Sequence, residues 1–170
     1  MAVVNTKATA ITNADAKPPV KSSKDIMNGM LKECVGTAEV ANGDSIGSTY
    51  RLCRVRSSER ISQVLLSCDA ITTCAGDVGI YQTNDNGGAV VDADFFASAL
   101  SLAAALVNSD VTHEADAADA GAGFGLADVE KPLWQALGLA ADPVRDYDIV
   151  VTLTAAAASA GTIAGKVKYV

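Results

Sequence analysis

Two segments near the C-terminus alternate apolar and polar side chains with a period of two. In residues 146–154, Tyr147, Ile149, Val151 and Leu153 fall on one face and Asp148, Val150, Thr152 and Thr154 on the other. Residues 162–170 alternate likewise. This period fits a pleated strand, whereas a helix brings residues three or four apart onto one face. The two segments are therefore expected as long strands, joined through Ala155–Gly161 as a hairpin with a loose Ala-rich loop. Their apolar face needs a second layer to cover it.

The same alternation recurs upstream. Thr49–Val55 sets Tyr50, Leu52 and Arg54 against Arg51, Cys53 and Val55, and Ile61–Cys68 and Asp77–Thr83 read as further strands. Turn residues separate them: Asn42-Gly43-Asp44, Ile46-Gly47-Ser48, and Asn84-Asp85-Asn86-Gly87-Gly88, where Asn and Gly tolerate positive φ. Two segments carry helical spacing. In Ala93–Ala105 these are Phe95, Phe96, Ala99 and Leu102, with Asp92 or Asp94 at the start. In Ala127–Leu137, Asp128 caps a stripe of Val129, Leu133, Trp134 and Leu137, Pro132 falls early, and Gly138 terminates. The expected fold is mainly β: an antiparallel β-sandwich, jelly-roll-like, with one or two short helices in the connections.

The apolar residues that would fill such a sandwich are small. Hydrophobic residues make up 49% of the 170, but aromatics only 5%, so Ala and Val dominate and each buries little area. A thin core of this kind gains from oligomer or assembly contacts. Residues 1–32 form a separate region, polar and broken by Pro18-Pro19, expected as an extended N-terminal arm with one helical turn around Ser23–Leu31. Residues 33–170 form the sandwich domain.

Charge divides the chain the same way. The arm has five lysines against Asp15 and Asp25, a balance of +3; the remainder has eight basic and eighteen acidic residues, a balance of −10. The net charge of −7 argues against nucleic-acid binding by the body, since phosphate contacts need clustered Lys and Arg. The basic arm reads either as a solvated tail or as a segment lying on an acidic partner. No run approaches a membrane span, and the first residues lack the basic start and apolar run of a signal peptide, so synthesis in the cytoplasm is expected.

Residues able to carry chemistry are few. His113 is the one histidine and is expected exposed in the acidic, glycine-rich stretch to Gly125, read as a mobile loop. Glu114, Asp116 and Asp119 offer carboxylates for calcium without the spacing of a calcium loop. Gly121-Ala122-Gly123-Phe124-Gly125 lacks the spacing and the preceding strand of a phosphate cradle. Asp92 and Asp94, and Asp146 and Asp148, offer paired carboxylates, which caps and turns also use. Cys34, Cys53, Cys68 and Cys74 have no CxxC spacing, so reduced, partly buried thiols are expected; whether Cys68 and Cys74 pair across a turn stays open. Trp134 is read as core, or else as an interface anchor. No catalytic, metal or cofactor site is expected.

Several segments, in order, carry a resemblance. They are Ser48–Leu52, Asp77–Thr83, Gly87–Phe96, Glu130–Leu139 and Asp146–Ile149. Together they resemble small virion proteins of tailed-bacteriophage head gene clusters, similar to the head decoration or capsid cement proteins. The resemblance implies a jelly-roll-like sandwich on the capsid exterior, with no cofactor, that bridges neighbouring major capsid subunits. Self-association as a dimer is preferred to a trimer. Lys17, Lys21 and Lys24 are then the candidate capsid contacts. A receptor- or carbohydrate-binding virion module is the alternative.

Overall fold

The computed structural model describes residues 4, 6–27, 29–118, 121 and 123–170. Asp119 lies outside them. Eight strands are found among the described residues: β1 (Lys32–Val40), β2 (Thr49–Arg56), β3 (Ile61–Cys68), β4 (Ala75–Gln82), β5 (Val90–Ser101), β6 (Leu106–Asp110), β7 (Asp146–Ala155) and β8 (Gly161–Tyr169). They build two four-stranded sheets, ordered β1-β8-β3-β6 and β2-β7-β4-β5, with every pairing antiparallel. All connections cross between the sheets except β4 to β5. This is the jelly-roll order, as expected.

The one same-sheet connection runs through the Asn84–Asn86 turn and Gly87-Gly88. Gly88 has φ +66 and the Asn84 side chain beside it, a conformation L residues rarely adopt. The connection from β7 to β8 is not the expected hairpin. β7 pairs with β2 and β4, and β8 with β1 and β3, so the two strands face each other across the core. Alternation gives a strand's apolar face but not its neighbour, and two apolar faces are buried equally well face to face.

The segment expected as a helix from Ala93 is strand β5. Between the pairs Val78↔Ala97 and Ile80↔Asp92, β4 advances two residues while β5 advances five. The bulge buries Phe95, Phe96 and Ala97 in succession, a run that an even strand does not produce and that mimics helical spacing. The Ala127–Leu137 helix is also cut down, to a 3₁₀ turn at Leu126–Asp128 and a single turn, α3 (Leu133–Ala136). Two of its amide donors are taken by tertiary partners: Leu133 N–H donates to Glu59 O (2.8 Å) and Trp134 N–H to Ser57 O (3.0 Å). The β2–β3 connection thus takes donors that a longer helix would satisfy internally. Strand β1 was not foreseen.

A bulge also reorganises β2. Register shifts between Arg51 and Cys53, so Leu52 and Cys53 both pack inward while Arg51 lies opposite Val150, Arg54 opposite Asp148 and Arg56 opposite Asp146. Leu52 fills the seam where β1 meets β2. It packs over the cross-strand pair Gly36↔Gly165, and a Cβ on Gly36 would stand 1.8 Å from the Leu52 carbonyl oxygen. No side chain fits there. Glycine at 36 is what lets the edges of the two sheets close on each other.

The other edges differ. β5 is covered by the segment around α2 (Glu114–Ala118): Phe124 N–H donates to Phe95 O (2.7 Å), and Ser98 N–H to the Glu114 carboxylate (2.8 Å). β6 pairs with β3 alone, is five residues long, and is interrupted by Asn108 at φ +48, which blunts it as an edge.

Candidate functional site

The arm exposes apolar Val4, Ile11, Val20, Ile26, Met30 and Leu31 alongside its lysines. It holds a short helix, α1 (Thr9–Asp15), which buries none of its residues, and a turn in which Ile26 and Met27 N–H both donate to Ser23 O. Lys17, Lys21 and Lys24 are exposed, and none has an ion-pair partner among the described residues. Lys21 and Lys24 border a shallow groove with Val20 and Met27. Lys7 is spent on Asp15, at 2.6 Å.

Arg60 fastens the arm to the body. Its Nε donates to Asp25 O (3.0 Å) and its Nη1 to Val129 O (3.2 Å), while its backbone pairs with Val170. Between arm and body lies a cleft of about 330 Å³, lined by Ile26, Arg60, Glu130, Pro132 and Trp134 among others. Trp134 is therefore half-buried on the cleft wall, not in the core; its neighbour Leu133 is the core residue. Both are apolar residues of one short turn, so spacing alone cannot say which points inward. The remaining aromatics are in the core or packed against it.

The residues singled out for chemistry are held in structural roles. His113 is not an exposed loop residue. Its ring stacks on Phe124, with centroids 5.2 Å apart and planes 8° off parallel, and its Nδ1 lies 2.8 Å from Phe124 O. A carbonyl only accepts, so Nδ1 carries the proton. Phe124 in turn touches Phe95 and Phe96, at 5.8 and 5.7 Å between centroids. Glu114 binds a strand amide as above, and Asp116 accepts from Gly121 N–H (3.0 Å). Among the described residues no group of three or more His, Cys, Asp or Glu is gathered to hold a metal.

The paired carboxylates also have partners. Asp148 is only 3% exposed and receives Arg51 Nη1 (2.9 Å), Arg54 Nε (2.7 Å) and Arg54 Nη2 (3.2 Å). This holds the Arg54 guanidinium still more firmly protonated than usual. Arg51 also donates to Gln82 O and Gly88 O, tying the β4–β5 turn to β2. Burial pushes the Asp92 and Asp77 carboxyls up, and neighbouring carboxylates add to it: Asp94 beside Asp92, and Asp94 and Glu114 near Asp77. The four cysteines are free thiols, Cys68 and Cys74 included.

No protein-family model matches the sequence, and no curated protein matches it. Solved structures do. A chain of the capsid of Ralstonia phage GP4 superposes with a TM-score of 0.50 at 17% identity, over 84% of this chain and 84% of that one. The likeness is one of fold. A chain of the cyanophage Pam1 capsid asymmetric unit superposes with a TM-score of 0.46 at 12% identity, over 82% and 83%.

Proposed function

We propose that the chain is a structural virion protein, a decoration or cement protein that binds the outer surface of a phage capsid and bridges neighbouring major capsid subunits. The observation that carries this reading is the fold: the jelly roll corresponds, over most of both chains, to a chain of the Ralstonia phage GP4 capsid. The arm, residues 1–32, supplies the means of attachment. Lys17, Lys21 and Lys24 have no competing carboxylate among the described residues, so an acidic capsid surface satisfies them at little rearrangement. Contacts that span two capsid subunits stabilise the shell by mass action, because they exist only in the assembled state. Self-association as a dimer on local two-fold axes fits the same role. No catalytic role is proposed.

The test is binding to purified heads that lack the protein, with the full chain compared against a chain deleted of residues 1–32 and against the triple variant Lys17→Ala, Lys21→Ala, Lys24→Ala. The full chain is expected to bind heads, and both variants to lose occupancy, with the full chain's occupancy falling as salt is raised. Equal occupancy of all three at low salt would remove the arm from the mechanism. Failure to bind any head, together with glycan binding that Trp134→Ala abolishes, would replace the proposal with the carbohydrate-binding reading.

A further inference from the structure

The seam between the two sheets brings together two cysteines far apart in sequence. Cys34 lies on β1, opposite Val167, and Cys53 on β2, opposite Ile149, so they belong to different sheets. The Cys53 thiol donates to the Cys34 carbonyl oxygen at 3.2 Å and lies 3.8 Å from Gly165 O. Both residues line one open groove of about 420 Å³, bordered by Arg51, Arg54 and Asp148. Both guanidiniums are held by Asp148 at the rim of the groove, which leaves a polar entrance beside the thiols. Cys34 is half-buried and Cys53 buried, which separates a reachable thiol from a sheltered one. Cys68 borders a different groove whose lining holds no second thiol.

We propose that Cys34 and Cys53 form a dithiol that a small disulfide, of the class of glutathione disulfide, converts into an inter-sheet disulfide. The Cys34 thiolate attacks one sulfur of the small disulfide. That S–S bond breaks, one thiol leaves with a proton from water, and Cys34 carries the mixed disulfide. Cys53 then gives its proton to water and attacks the Cys34 sulfur, releasing the second small thiol. Two protein thiols are oxidised and one small disulfide is reduced to two thiols. Burial and the neighbouring Cys34 push the Cys53 thiol up, so the second exchange is the slow one. The product staples β1 to β2 and closes the segment from 34 to 53, in a seam where Gly36 and Leu52 already hold the backbones in contact. A reducing cytosol keeps the pair open and an oxidising exterior closes it. The inference does not depend on the capsid reading.

The test uses the full chain, purified reduced and exposed to glutathione disulfide at neutral pH, then mapped without reduction by mass spectrometry. A Cys34–Cys53 cross-linked peptide is expected, with a rise in Tm of about 5–10 °C. The double variant Cys68→Ser, Cys74→Ser is expected to behave the same. Cys53→Ser is expected to stop at a glutathione adduct on Cys34, and Cys34→Ser to take up none at Cys53. A wild-type map with no Cys34–Cys53 peptide, or with Cys68–Cys74 formed in its place, overturns the proposal. So does a cross-link that leaves Tm unchanged, which would mean that the bond does not staple the seam.

Discussion

Truncation of Phe124 to alanine measures whether the acidic, glycine-rich stretch is a loop or part of the core. The side chain is 1% exposed and stands among Phe95, Phe96 and His113. Removing its ring takes about 100–130 Å² of apolar area out of the core, worth about 2.5–3 kcal/mol at ~25 cal/mol per Å². The loss of aromatic pairing adds about 0.5–1.5 kcal/mol. The expected destabilisation is therefore about 3–4.5 kcal/mol, within the range of about 3–5 kcal/mol seen when a buried phenylalanine is cut to alanine. Against a total of about 5–15 kcal/mol for a domain, that is a large fraction. Urea unfolding followed by tryptophan fluorescence and circular dichroism gives the value. With m near ~2 kcal/mol/M, the midpoint falls by about 1.5–2.3 M at unchanged m. Protease cleavage within 113–125 is expected to rise in parallel, because the buried Phe124 ring anchors the stretch against Phe95 and Phe96 of β5. A loss below about 1 kcal/mol, of the size seen at exposed positions, would refute the packing argument.

Two further outcomes follow from the charged groups. Asp148→Ala strands Arg51 and Arg54 beside a buried face and is expected to cost about 2–3 kcal/mol. This is below the ~3–5 kcal/mol of a fully buried pair because Arg54 is half exposed. Asp148→Asn, which keeps an acceptor, costs less; equal urea midpoints for wild type and both variants would show the cluster contributes nothing. Asp77 is held up by burial, so the folded state keeps its proton to higher pH than the unfolded chain does, and wild type loses that contribution as pH rises through the folded pKa. Asp77→Asn retains the acceptor for Ala99 N–H (2.7 Å in wild type) without the charge. It is expected to raise Tm at pH 7 and to lose that advantage below the usual aspartate range of about pH 4. Calorimetry at the two pH values decides, and no gain at pH 7 would refute it.

The sequence by itself determined the class of fold and most of its strands. The strands at Thr49–Val55, Ile61–Cys68, Asp77–Thr83 and 146–154 were legible because alternation is a local property of a pleat. The bulge at Arg51–Cys53, set by pairing with β7, nevertheless turned both Leu52 and Cys53 inward. The turn at Asn84–Gly88 is local as well. The exposed lysines of the arm were also legible, since five lysines there outnumber Asp15 and Asp25 and no long apolar run buries them. What only the tertiary structure decided involves partners distant in the chain. Phe95-Phe96 reads as helix until a bulge against β4 lets both rings turn inward. Leu133 and Trp134 read as one helical stripe until Glu59 and Ser57 take their amide protons. β1 was missed because its short residues, Gly36 at their centre, signal nothing until Leu52 is seen filling the space above them. The hairpin expected across Ala155–Gly161 became a crossing between sheets. Strand faces are fixed by neighbours one residue away, whereas strand partners are fixed by which apolar faces can close on each other in space.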